Sequence, residues 1–161
     1  MPLLKIDDKE IQVQSGATVL ETAEANGIEI PHYCYHPALE VVGSCRMCLV
    51  QVEGMGQLQV SCNTFVGEVH PDRKVDGKYD MVVHTQNDLV VQERKNILEF
   101  LLLNHPLDCP VCDQAGECYL QDYSFKFGNA HSRFDEDKRV RPNEYLGSQL
   151  VINQNRCILC S

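Results

Sequence analysis

The chain has 161 residues, of which 43% are hydrophobic and 23% charged, the balance of a globular protein with room for one ordinary domain or two small metal-held ones. Its formal net charge of −9 sets 14 Lys and Arg against 23 Asp and Glu, which disfavours a nucleic-acid role, since that normally needs a basic patch. Nine cysteines are the outlier, and either disulfides or metals must account for them.

In chain order, Met1–Asp8 (MPLLKIDD) lacks the basic start and apolar stretch of a secretory signal. Phe100–Leu103, an apolar run near a helix, is too short to cross a bilayer. An intracellular, reducing setting is therefore expected, with thiols free to hold metal. The odd cysteine count also argues against a closed set of disulfides. Leu4 and Ile6, then Ile11 and Val13, flank Asp7–Glu10 with period-two alternation and predict an opening hairpin. Thr18–Asn26 predicts a short helix with Val19, Leu20 and Ala23 at helical spacing, and Gly27 as a left-handed cap. Leu49–Val52 and Leu58–Val60, around Gly54 and Gly56, predict a second hairpin. Hairpin, helix and hairpin together suggest a small α+β domain with a mixed sheet.

From Asn87 the pattern changes. Val90, Val91, Ile97, Leu98, Leu101 and Leu102 share one face of a helix that ends before Pro106, with Asn87 or Asp88 as its cap. Closely spaced cysteines follow, then a polar, aromatic tract from Tyr119 to Arg133. Asp135–Arg141 (DEDKRVR) reads as a solvated loop, and Gly147–Val151 as a strand leading towards Cys157. The sequence stops at Cys157-Ile158-Leu159-Cys160-Ser161, inside a two-residue-spaced cysteine pair. Further chain beyond Ser161 is therefore expected.

Eight residues form two complete four-ligand sets. Cys34, Cys45, Cys48 and Cys62 have the spacing C-x10-C-x2-C-x13-C. A [2Fe–2S] cluster needs four thiolates, and the loop Gly43–Cys48 has little bulk at its start, so its N–H groups can face cluster sulfurs. A structural zinc site would use the same thiolates. His32, Tyr33, Tyr35 and His36 flank the first ligand and read as loop packing. His105, Cys109, Cys112 and Cys118 give H-x3-C-x2-C-x5-C, three thiolates and one imidazole for a [4Fe–4S] cube. A neutral imidazole in place of a thiolate removes a negative charge and favours the reduced state. Pro106 and Pro110 stiffen this loop and Gly116 permits its turn. The alternatives are a three-cysteine, one-histidine zinc knuckle and His105 as a simple helix C-terminal cap.

Both sets, in this order, resemble the amino-terminal region of the large iron–sulfur (G-type) subunit of respiratory complex I, NADH–quinone oxidoreductase. Leu103–Tyr123 (LNHPLDCPVCDQAGECYLQDY) carries most of the likeness, which extends from Lys5 to the end. The resemblance implies a β-grasp [2Fe–2S] ferredoxin-type domain over residues 1–80. It implies a small helical and loop [4Fe–4S] domain with one-histidine, three-cysteine ligation over 81–120. Residues 121–161 would be a connector and the start of a further [4Fe–4S] domain, with Cys157 and Cys160 as its first ligands. Two further cysteines of that site lie beyond Ser161 in the family.

The implied chemistry is outer-sphere electron transfer. Single electrons would pass from a flavin-bearing, NADH-oxidising partner subunit towards quinone, with other peripheral-arm subunits as neighbours. The implied location is the cytoplasmic side of the bacterial inner membrane, peripheral and without a span of its own. No nucleotide fingerprint and no nucleophile–base pair is visible, so no catalytic residue is expected, and Glu21, Glu24, Asp135 and Glu136 read as surface carboxylates. The electron-input (diaphorase) modules of NAD-linked hydrogenases and formate dehydrogenases share this cluster order. A reading of a different class is a zinc-stabilised interaction module.

Overall fold

The computed structural model describes residues 1–67 and 77–160. Residues 68–76, within the expected 1–80 domain, and Ser161 lie outside the described residues. The chain divides into two compact units, Met1–Arg94 and Lys95–Cys160.

The first unit is built on a mixed five-stranded sheet. β1 (Leu3–Ile6) and β2 (Lys9–Gln12) form the opening hairpin, with Leu4 opposite Ile11. Alternation drives the pairing: Leu4 and Ile6 are fully buried, whereas β2 presents mainly polar side chains outward. β3 (Leu49–Val52) pairs antiparallel with β4 (Gln59–Val60), which is shorter than the expected Leu58–Val60.

Between the two hairpins lies β5 (Met81–His84), a strand that the sequence pattern does not announce. It runs parallel to β1 and antiparallel to β3, giving the order β2-β1-β5-β3-β4. Met81, Val82 and Val83 are all buried, as in a strand covered on both faces, so its sequence shows no period-two alternation. Asp7 ties the first turn to the end of this strand. Its carboxylate accepts from the Thr85 N–H at 2.8 Å and the Thr85 hydroxyl at 2.6 Å.

The predicted helix is α1 (Val19–Ala25), and it begins in a reciprocal cap. The Glu21 N–H donates to Thr18 Oγ1 at 3.2 Å, while the Thr18 N–H donates to Glu21 Oε2 at 2.9 Å. Glu21 is thus part of the helix start, not merely a surface carboxylate. Gly27, at φ 68°, takes the left-handed conformation expected of it. Val19, Leu20 and Ala23 are fully buried in one core with Leu4, Ile6, Val50, Val52 and Val83. Each such Leu, Ile or Val contributes about 1.5–3 kcal/mol of burial free energy. Backbone bonds from Val19 N to Thr64 O (2.9 Å) and Val66 N to Ala17 O (3.0 Å) fasten the helix start to the segment after Cys62.

α2 (Asp88–Leu102) supplies residues to both units. Asn87 caps it, accepting from the Val90 N–H at 3.0 Å. In the second unit, α3 (Tyr119–Phe127) occupies most of the tract read only as polar and aromatic. Tyr119, Tyr123 and Phe127 recur at i, i+4 spacing along it, with ring centroids 6.0 and 5.7 Å apart. β6 (Glu144–Tyr145) and β7 (Val151–Ile152) make a small exposed hairpin, the second strand starting where the Gly147–Val151 expectation ended.

The segment Asp135–Arg141 does more than a solvated loop would. Lys138 Nζ donates to the carbonyls of Leu102 and Leu103 at 2.7 and 3.1 Å. It thereby satisfies the end of α2, whose last turn contains no basic residue of its own. Among the described residues no helix is long and apolar enough to cross a membrane.

Candidate metal centres

The first cysteine set lies in the first unit. Cys45, Cys48 and Cys62 are buried, and Cys34 is half-buried. The sulfurs fall into two pairs. Cys34 Sγ and Cys45 Sγ are 3.3 Å apart, and the Cys45 N–H donates to Cys34 Sγ at 3.5 Å. Cys62 donates its thiol and its backbone N–H to Cys48. Gly43 and Arg46 both have positive φ, at 65° and 59°, which turns the loop so that N–H groups face sulfur. Met47 adds another such N–H, to Cys45.

The electrostatics follow from this crowding. The Cys62 thiol hydrogen bond holds Cys48 down to about 6, while Cys62 is raised by the same bond, by burial, and by the charges of the other three sulfurs. Burial pushes Cys45 up. Burial also acts to raise Cys34, but hydrogen bonds from Cys45 and Ser44 outweigh it and leave Cys34 lowered. Four sulfurs in one place cannot all ionise cheaply without a cation among them. The donor set therefore fits a positively charged metal group better than four free thiols.

The residues around this set are already committed. His32 Nδ1 meets the Ile30 carbonyl oxygen at 3.0 Å, and its Nε2 faces Glu24 Oε1 at 3.6 Å. Its ring packs edge-on against Tyr35, with centroids 5.6 Å apart. The Tyr35 hydroxyl reaches Glu21 at 3.3 Å. His36 Nδ1 accepts from the Ala38 N–H at 3.1 Å within a turn. Arg94, 1% exposed, interacts electrostatically with Asp7, Cys48 and Glu29. Sequence reasoning missed this buried cation because one arginine on a helical face gives no signal of burial.

The second set lies in the second unit. A cavity of about 160 Å³ is lined by His105, Cys109, Cys112 and Cys118, with apolar cover from Leu102 and Leu120. Three local devices bring the four donors to it. The His105 N–H bonds the Leu102 carbonyl at 3.2 Å as α2 ends. A 3-10 turn over Cys109–Val111 follows, with Pro110 inside it. Gly116, at φ 89°, then turns the chain so that Cys118 stands at the start of α3. His105 Nδ1 is buried without a hydrogen-bond partner, an arrangement that costs free energy unless a ligand satisfies it. Burial, then the nearby Lys138, pushes its pKa down, which favours the neutral imidazole that metals bind. The site thus fits a metal group by cavity, donor type and one orphaned nitrogen.

Cys157 is exposed and Cys160 half-buried. The Leu159 N–H points at Cys157 Sγ at 3.4 Å, and Leu159 itself has a positive φ of 54°. Among the described residues, no three or more His, Cys, Asp or Glu side chains close around a single metal-ion position.

Two protein families match the chain, one on each ligand set. Residues 3–70 match the 2Fe-2S iron–sulfur cluster binding domain, and residues 94–133 match the iron–sulfur binding region of NADH-ubiquinone oxidoreductase-G. By class this is an iron–sulfur-binding chain. The G-type subunit of NADH-quinone oxidoreductase from Rickettsia bellii is 44% identical over 158 residues, covering 98% of this chain and 22% of the relative. A G-type subunit of the same enzyme from Rhizobium meliloti is 45% identical over 157 residues, covering 96% and 17%. The mitochondrial NADH-ubiquinone oxidoreductase 78 kDa subunit of Candida albicans is 41% identical over 158 residues, covering 97% and 20%. Over nearly its whole length the chain is thus similar to the G-type subunit of NADH-quinone oxidoreductase. It spans about a fifth of the length of these curated relatives. Among solved structures, a chain of an NAD+-reducing [NiFe]-hydrogenase superposes with a TM-score of 0.80 at 31% identity, over 99% of this chain and 62% of that one.

Proposed function

We propose that this chain is an electron relay of NADH–quinone oxidoreductase, holding a [2Fe–2S] cluster on Cys34, Cys45, Cys48 and Cys62 and a [4Fe–4S] cluster on His105, Cys109, Cys112 and Cys118. The observation that carries the reading is the second cavity. Three cysteines and a histidine with an orphaned buried nitrogen line one space, in a region matched to an iron–sulfur-binding family. When bound, such clusters take up and release one electron at a time without breaking a substrate bond.

The chain's own residues do the rest. The sulfur pairs Cys34 with Cys45 and Cys48 with Cys62 would hold the first cluster through their thiolates. Their N–H donors stabilise negative charge on sulfur, and Val50, Val52 and Met47 keep water from the inner side. At the second set, His105 contributes a neutral donor where a fourth cysteine would add a charge. Leu102 and Leu120 supply the apolar wall. The sheet order, with β1 and β5 parallel at its centre and α1 packed in the core, supports a β-grasp domain that runs through β5 to His84, past the expected boundary at residue 80. The [4Fe–4S] domain, expected over 81–120, then begins after β5, and 121–161 joins it to a further [4Fe–4S] site that begins with Cys157 and Cys160.

The electron is taken to come from a flavin-bearing, NADH-oxidising subunit of the same complex and to leave towards quinone through other peripheral-arm subunits. The assembly would sit on the cytoplasmic side of a bacterial inner membrane. The likeness to the NAD+-reducing hydrogenase supports a second reading, an electron-input module of an NAD-linked hydrogenase or formate dehydrogenase. The proteins that co-purify with the chain separate these two.

Metal and sulfide analysis of anaerobically purified protein tests the cluster assignment. About six irons per chain at these two sites, with electron paramagnetic resonance signals on reduction, is the expected result. Zinc with no visible absorbance and no such signal would overturn it and leave an interaction module.

A further inference from the structure

Arg156 and Asp108 hold one another from matching positions in two cysteine loops. Arg156 immediately precedes Cys157, and Asp108 immediately precedes Cys109. Arg156 Nε and Nη2 both donate to Asp108 Oδ2 at 3.2 Å. Both side chains are about a third to a half exposed, at 34% and 44%, so this pair alone adds little to stability. Its position matters more. Arg156 lines the same cavity as His105, Cys109, Cys112 and Cys118, although it is separated from them in sequence by more than the whole of α3.

We propose that Arg156 is a positioning residue for the second site, holding the Cys157 loop against the Cys109 loop and setting the reduction potential at the cavity it lines. The inference rests on the reading of that cavity as a cluster site. Reduction adds one negative charge inside a space with apolar walls, where a nearby cation acts more strongly than in water. Arg156 and Lys138 provide the positive charges there and Asp108 the negative one. Their balance is positive and favours the reduced state. Removing the guanidinium leaves Asp108 without its partner and reverses part of that field.

The test compares Arg156→Gln and Arg156→Lys in the full iron-loaded chain, by redox titration followed by electron paramagnetic resonance together with iron analysis. Arg156→Gln should keep its iron and lower the equilibrium constant for reduction of the second cluster about tenfold, which is about 59 mV for a one-electron couple. Arg156→Lys should stay within about threefold of the parent, about 28 mV on the same scale, and the first cluster should be unmoved in both. Full iron with an unchanged potential in Arg156→Gln would overturn the proposal. Should that variant emerge without second-site iron, Arg156→Lys decides: loaded and near the parent supports the proposal, while unloaded or shifted tenfold overturns it. A parent chain with no cluster in the cavity would instead sink the site assignment beneath it.

Discussion

Lys138 Nζ lies 2.7 Å from the Leu102 carbonyl oxygen, across 36 positions of chain, and so closes the end of α2 at the point where His105 leaves it. The bond places a positive charge at a helix C-terminus, where it complements the helix dipole and gives the last carbonyls a further donor. Lys138→Met should therefore destabilise the second unit by about 1–2 kcal/mol. Chelator challenge of the loaded protein checks this. Second-site iron should be lost faster and first-site iron at the parent rate, whereas equal rates at both sites would remove Lys138 from the support of His105.

The two ligand sets should fail independently. Cys62→Ser should cost about two irons and Cys112→Ser about four, each with loss of one resonance signal. Iron counts and spectra of the two variants check the assignment, and a single substitution that emptied both sites would contradict it.

His105→Cys replaces a neutral donor by a thiolate in the cavity. The cluster should be retained with a more negative potential, because the extra charge opposes reduction. A potentiometric titration reads the shift. An unchanged spectrum and potential would take His105 out of the ligand set.

Loading of the first site should depend on pH through Cys48. Its pKa is held down to about 6 by the Cys62 hydrogen bond, so at pH 7 it already presents a thiolate. Below about pH 6 it is protonated and the incoming metal must displace that proton. Reconstitution of the metal-free chain, followed by absorbance between pH 5 and 8, should slow as the pH falls through that window. A flat profile would show that Cys48 does not make the first contact.

The α1 cap offers a test of the fold itself. Thr18→Ala should cost about 1 kcal/mol in urea denaturation of the first unit. Glu21 has its pKa lowered, chiefly by the Thr18 backbone hydrogen bond. Its charge thus stabilises the folded state fully above the ordinary Glu value near about 4.3, and less as pH falls through the folded value. The advantage of the parent over Glu21→Gln should accordingly be present at pH 7 and fade in acid.

The sequence was legible where a local rule had one reading. Alternation at Leu4 and Ile6, the helical spacing of Val19, Leu20 and Ala23, and a helix start capped by Asn87 or Asp88 all led to the elements observed, with Asn87 as the cap. The eight cysteine and histidine positions came from spacing alone, and the structure gathers them into one group of sulfurs and one cavity. β5 was illegible because burial on both faces erases alternation. The aromatic repeat Tyr119, Tyr123, Phe127 and the Thr18-x-x-Glu21 box were signals present but unread. Lys138 and Arg156 had no local signal, since their partners stand 36 and 48 positions away.

The parallel pairing of β1 with β5 sets an order of events during synthesis. All four cysteines of the first set lie between these two strands in the chain. The sheet's centre cannot close until residue 84 has left the ribosome, well after Cys62 has emerged. For that interval all four thiols have been made on a chain that still lacks the central strand of its sheet, and long-range strand closure is slow compared with local helix formation. An iron donor acting in that interval would meet the four cysteines before β5 completes the sheet, whereas one acting later would have to reach sulfurs that are mostly buried.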